Sequence, residues 1–176
     1  MTKNRFIPTI NISPLIKKNL NSKKVNNIIK QIELACINIG FFQIVGHGIS
    51  LKKIKNLCNV GNNFFKSTYK NKTKLAPKKW NKNNKNVYRG YFPNDINGKE
   101  GLDIGDLRVT KNFSNKIKNQ YIEYIDLKKS FNKKDIVILS DYFDRVYNLS
   151  EILFKCIIKI YKKDPSLSRV VFSRLK

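Results

Sequence analysis

Histidine is almost missing from this sequence: His47 is the single one among 176 residues. No site that needs two histidine ligands can be assembled within the chain. That excludes an intramolecular two-His-one-carboxylate iron centre and two-His zinc sites. A Ser-His-Asp or Cys-His nucleophile would have to use His47 itself. Acidic residues are also scarce, 12 against 36 Lys and Arg, which leaves a net charge of +24. Such a field attracts polyanions, weakens with salt and carries little specificity. Lys, Asn and Ile are abundant and Lys far outnumbers Arg, an enrichment that an A- and T-rich coding bias also produces. The three cysteines, Cys36, Cys58 and Cys156, are far apart, with no Cys-x-x-Cys. Each falls in an apolar repeat, so they read as reduced core thiols of a cytoplasmic protein. No long apolar run follows the basic residues 1–5, and no signal peptide or membrane span is expected. A phosphate-binding Gly-rich loop and a His-Glu-x-x-His motif are both absent.

What is present suits one folded domain: 41% hydrophobic and 11% aromatic residues, enough to build a core. Residues 6–12 alternate imperfectly around Pro8 and read as a short edge strand. Ser22 is placed to cap a helix over residues 23–39, whose apolar stripe is Val25, Ile28, Ile29, Ile32, Ala35, Cys36 and Ile39. Gly40 can end that helix in a left-handed conformation. Residues 41–45 are aromatic and β-branched and read as a buried strand. Ser50 opens a second helix with Leu51, Ile54, Leu57, Cys58, Gly61, Phe64 and Phe65 on one side.

Residues 66–85 are rich in Lys and Asn and are expected to be mostly exposed loop, with one helical turn near residues 72–75. Asp95 to Gly98 is turn-like, residues 102–109 are a strand candidate, and residues 110–132 are ambiguous. A third long helix is expected over residues 134–161, with a stripe of Leu139, Tyr142, Phe143, Val146, Leu149, Leu153, Cys156, Ile157 and Ile160. Asp164-Pro165 breaks it, and Val170 to Phe172 is a possible strand.

The strongest motif is Gly40-Phe41-Phe42-Gln43-Ile44-Val45-Gly46-His47-Gly48, following the helix end Ala35-Cys36-Ile37-Asn38-Ile39. With Ile7-Pro8-Thr9-Ile10, Phe64-Phe65, Arg89-Gly90-Tyr91 and Glu100-x-x-Asp103-x-Gly105, this order resembles the N-terminal domain of the isopenicillin N synthase-like non-haem iron oxygenases, most of which use 2-oxoglutarate. The resemblance covers nearly the whole chain. It implies an α/β fold: three amphipathic helices on a small incomplete sheet, with a domain over residues 1–165 and a truncated tail over 166–176. It also implies that the chemistry lies elsewhere. In the family, iron is held by His-x-Asp and a distant second His in a double-stranded β-helix, and Arg-x-Ser there binds the 2-oxoglutarate carboxylate. These motifs are not found after Tyr161, so no cofactor is expected in this chain. Fe(II) and 2-oxoglutarate enter only if a catalytic half is supplied separately.

Each candidate residue has a structural reading beside the functional one. His47 is not the family's iron ligand, and a hydrogen bond closing the strand exit is the favoured role. Arg89 and Tyr91 are candidate substrate contacts, since this region reaches the active-site mouth in related enzymes. The alternative is packing around Gly90. Glu100, Asp103 and Asp106 are weak candidates for a metal site. Asp141 and Asp144 share a helix face and read as a solvated patch. Lys78, Lys79, Lys82 and Lys85, with Trp80 between them, are candidate nucleic-acid contacts, set against a plain solvated loop.

The sequence thus points to a truncated or split oxygenase N-terminal domain that is not catalytic alone. Its expected partner is a catalytic-barrel polypeptide, or a second copy paired through an open sheet edge. A small basic nucleic-acid-binding protein is the alternative.

Overall fold

The computed structural model describes residues 6–17, 22–94, 98–105, 107 and 124–163. Expectations for residues 1–5, 95–97, 106, 108–123 and 164–176 lie outside these. The chain forms two compact units, one from residues up to Ile49 and from Arg145 onward, the other from Ser50 to Asp144.

The first unit begins with strand β1, Thr9–Asn11, a helical turn α1, Ser13–Ile16, and helix α2, Ser22–Asn38. Strand β2, Gln43–Val45, runs parallel to β1, with Ile10 opposite Ile44. Pro8 has no amide to give, but its carbonyl accepts the Gln43 N–H at 2.8 Å, and the Ile12 N–H reaches the Val45 carbonyl at 2.9 Å. These bonds fix the register, which aims Ile10 and Ile12 at the stripe of α2. Ile10, Ile12, Val25, Ile28, Ile29, Ile32 and Ala35 are all buried together. Each such isoleucine contributes about 1.5–3 kcal/mol of apolar burial. Gly40 leaves the helix with φ +84°, its N–H donating to the Ala35 carbonyl.

Two readings of this unit need correction. Residues 41–45 are not a buried strand: Phe41 is 71% exposed, and only Phe42 and Ile44 pack against the core. A three-residue strand paired on one side has one inward face, so alternate residues stay in solvent. Nor are all three cysteines in the core. Cys156 is buried, whereas Cys36 and Cys58 are exposed. Cys36 lies one position past buried Ala35, and Cys58 two positions before buried Val60, so 3.6 residues per turn carries each off the inward face.

The second unit opens with helix α3, Leu51–Lys66, capped by the Ser50 hydroxyl, which accepts the Lys53 N–H at 3.4 Å. Val60 and Phe64 are buried, while Leu51, placed in the stripe by sequence, is 73% exposed. A short helix α4, Tyr69–Thr73, follows. Strands β3, Gly90–Phe92, and β4, Gly101–Asp103, pair antiparallel with Tyr91 opposite Leu102. A 3-10 turn, Leu127–Lys129, leads into helix α5, Lys133–Lys163. The second core joins Val60, Phe64, Leu75, Ala76, Tyr91, Leu127, Phe131 and Leu139. Helix α5 gives Leu139 to this core and Cys156 and Ile160 to the first.

The architecture is the expected α/β one, with helices packed on small open strand pairs. Among the described residues the strands form two separate two-stranded ladders, β1-β2 and β3-β4. Residues 66–85 depart from expectation. Leu75 and Ala76 are almost fully buried, and Asn84 and Asn86 are buried as well. Leu75 and Ala76 thus join the second core, while Lys74, Lys78, Lys79, Lys82 and Lys85 stay exposed.

Candidate functional site

The residues that sequence analysis singled out at 89–105 meet across the β3-β4 ladder. Antiparallel pairing sets Gly90 opposite Asp103. It thereby brings Arg89 to Asp103, whose Oδ1 lies 3.1 Å from the guanidinium. The same Oδ1 accepts the Gly105 N–H at 3.0 Å. A Cβ built on Gly105 would stand 2.5 Å from that guanidinium, so the Arg89 head rests flat on glycine backbone.

On the other face, the Tyr91 hydroxyl donates to Glu100 Oε2 at 2.7 Å. Lys72, from α4, donates to the same oxygen at 2.6 Å and to the Phe65 carbonyl at 3.0 Å. Its ammonium also lies 5.3 Å from the centre of the Tyr91 ring. The Tyr91 ring is buried edge-on to Phe64, with centroids 5.9 Å apart. Lys72's hydrogen bond, then that of Tyr91, holds the Glu100 carboxyl below its ordinary value. The bond to Glu100 raises the Lys72 ammonium in turn. Burial, then the Glu100 bond, raises the Tyr91 phenol. The phenol is therefore a fixed donor and the carboxyl a fixed anion.

Gly90 permits this geometry. Its φ is +112°, and a Cβ there would meet the Leu75 carbonyl oxygen at 2.0 Å. The Tyr91 N–H donates to that same carbonyl at 3.1 Å. The backbone of β3 is thus pressed onto the 75–77 segment, where no side chain fits between.

His47 sits on the exit from β2. Its Nδ1 accepts the Ile49 N–H at 3.1 Å. The ring nitrogen facing the backbone is spent on a turn.

The lysine candidates occupy a different place. Lys78, Lys79, Lys82 and Lys85 are exposed. Trp80 packs edge-on to Phe92, centroids 5.8 Å apart, and the Lys79 ammonium lies 4.5 Å from its ring centre. Its ring is occupied by the protein itself. Asp141 takes the Lys53 ammonium at 2.7 Å.

Sequence reasoning missed the asparagines. Asn84 Nδ2 donates to the carbonyls of Lys74, at 2.9 Å, and Ala76, at 2.7 Å. Asn81 Nδ2 reaches the Thr73 carbonyl at 3.0 Å, and Asn86 Nδ2 donates to the Arg89 carbonyl. The Asn81 and Asn84 amides satisfy carbonyls at and just past the end of α4. The one available signal was Leu75-Ala76-Pro77, an apolar triplet inside a polar stretch.

The family described as non-haem dioxygenase in morphine synthesis, N-terminal, matches residues 7–135. The chain belongs to this family. It is 35% identical over 98 residues to isopenicillin N synthase of Streptomyces griseus, covering 55% of this chain and 28% of that protein. A homoarginine-6-hydroxylase of Glycine max is 35% identical over 74 residues, 39% of this chain and 22% of the relative. A 2-oxoglutarate-dependent dioxygenase of Talaromyces stipitatus is 29% identical over 90 residues, 51% of this chain and 27% of the relative. The chain matches about a quarter of the length of these curated relatives.

The dioxygenase N-terminal domain has His47 as its one histidine. With one histidine, it lacks the metal-binding residues that catalysis in the family requires. Among the described residues, no three His, Cys, Asp or Glu side chains converge as ligands. Glu100 and Asp103 are each held by a cation, and His47 Nδ1 by an amide. These donors do not fit an iron centre. Among the described residues, no helix is long and apolar enough to cross a membrane.

Proposed function

We propose that this chain is the supporting half of a non-haem oxygenase, a non-catalytic N-terminal domain that works only with an iron-binding barrel. The observation that carries this reading is that its motif residues are spent on one another. Arg89 is bound to Asp103, and Tyr91 and Lys72 share Glu100. Such a ladder holds a shape, whereas a reaction centre needs groups left open toward substrate. The domain is read as residues 1–165, followed by a short tail over residues 166–176.

Arg89 is the candidate substrate contact. Its side chain is 37% exposed, which leaves the guanidinium in reach of solvent while it is bonded to Asp103. Tyr91 serves as its anchor, since its ring is 2% exposed. The structural motif is Gly40, Phe41, Phe42, His47, Gly48 and Gly90. The exposed Phe41 and the open edge of the β1-β2 pair suit a strand from the barrel. A cytoplasmic setting agrees with three unpaired cysteines.

The test begins with the DNA flanking the coding region, read for His-x-Asp, a distant His and Arg-x-Ser. The chain and the polypeptide carrying those motifs are then purified singly and together, and 2-oxoglutarate turnover is measured. Turnover that requires both is the expected result. Equal turnover by the barrel polypeptide alone would overturn the supporting role.

A further inference from the structure

We propose that His47 is a proton-operated latch: its neutral imidazole closes the turn that leaves β2, and protonation of the ring opens it. This inference is independent of the oxygenase reading. His47 Nδ1 accepts the Ile49 N–H at 3.1 Å. A ring nitrogen that accepts carries no proton, so the ring that makes this bond is neutral, with its proton on Nε2. In the charged ring both nitrogens donate. Once Nδ1 takes a proton from solvent, N–H faces N–H and the bond is lost. His47 is half-buried, so the ring is held in place and still reached by solvent.

The same bond, from a side chain to the N–H two residues on, recurs from Asn11 to Ser13 at 3.0 Å and from Asn81 to Asn83 at 3.1 Å. There the acceptor is an amide oxygen, which does not titrate. At residue 47 the same task falls to a residue type that changes charge near neutral pH. Gly46 and Gly48 flank the ring at φ of +69° and +76°. Glycine gives up the most conformational freedom on ordering, so a turn built this way is one that a single bond can tip.

The turn is seated on β1 and α1. A Cβ on Gly46 would meet Asn11 Oδ1 at 2.6 Å, and one on Gly48 the Ile16 side chain at 3.1 Å. Strand β1 reads Thr-Ile-Asn, α1 Ser-Pro-Leu-Ile and β2 Gln-Ile-Val, so none of the three carries a titratable side chain. Lys17 follows α1, and Lys52 and Lys53 follow the turn in sequence. Among the described residues of the first unit, the carboxylates are Glu33 on α2 and Glu151 on α5. Carboxyl and ammonium groups ordinarily change charge outside the histidine range, so the ring is the group at this turn that switches within it.

The test uses the full chain labelled with nitrogen-15 and carbon-13. The His47 ring and the Ile49 amide are followed by NMR from about pH 8 to about pH 5. One shared midpoint is expected, with the Ile49 protection factor about fivefold lower when the ring is charged, the loss of one hydrogen bond. The Ile12 amide, bonded to the Val45 carbonyl, should keep its protection throughout. H47N offers an amide oxygen, as at Asn11, and should keep Ile49 protected at both ends of the range. H47F has a ring without an acceptor and should leave Ile49 at the lower protection at every pH. If H47F fails to fold, the ring titration and H47N carry the test. An Ile49 amide that ignores ring protonation, a fall that Ile12 shares equally, or an H47N chain that still loses Ile49 protection with acid would overturn the proposal.

Discussion

At Gly90 a methyl group has nowhere to go. With φ at +112° and the Leu75 oxygen 2.0 Å from an ideal Cβ, Gly90→Ala faces both backbone strain and a clash with main chain. The expected cost is about 3 kcal/mol or more, read as a shift of the urea midpoint. An unchanged midpoint would show that β3 does not press on the 75–77 segment. Tyr91→Phe removes a single donor to Glu100 and should cost about 1 kcal/mol. The pH dependence follows from the same cluster. Glu100 has a lowered folded value, so its contribution is full above the ordinary carboxylate range and is lost as pH falls through the folded one. Lys72 and Tyr91 have raised values, so theirs are full below their ordinary values and fade as pH rises past them. Glu100→Gln should flatten the acid limb of a denaturation midpoint against pH. A limb that keeps its slope would place the acid sensitivity elsewhere. Sequence held the partners of this cluster as two separate motifs. It could not pair them, because only antiparallel register brings residue 89 to 103 and residue 91 to 100.

Helices were readable where one physical cause dominates. Ser50 before an apolar stripe caps α3, and Ser50→Ala should cost about 1 kcal/mol by thermal or urea unfolding. The stripe of α2 puts five of its seven predicted residues in the core, because period 3.6 against a two-stranded pair leaves little choice of face. Residues 66–85 were not readable. Their order comes from asparagine amides bonded to carbonyls eight to ten residues away, a pattern with no period. Asn84→Ala strands the Lys74 and Ala76 carbonyls and should cost about 2 kcal/mol. Asn83→Ala, one residue away and exposed, should cost little. Equal midpoints for the two variants would mean that the asparagine ties do not hold the segment. Strand 41–45 was overextended for a related reason: aromatic and branched residues mark a strand, but burial depends on what covers its second face.

For the molecule as a whole, charge and family point in different directions. A net charge of +24 invites polyanions, yet Trp80, the base-stacking candidate, is packed on Phe92 and Lys79. The family, by contrast, accounts for the β1-β2 pairing, the Gly-Phe-Phe strand and the β3-β4 ladder together. The central claim is that this chain supplies structure and no iron chemistry of its own. The measurement that tests it most directly is succinate formation from 2-oxoglutarate by the purified chain, with Fe(II), ascorbate and oxygen supplied, alongside His47→Ala. The account predicts background turnover for both proteins. Turnover above background that disappears in His47→Ala would contradict it.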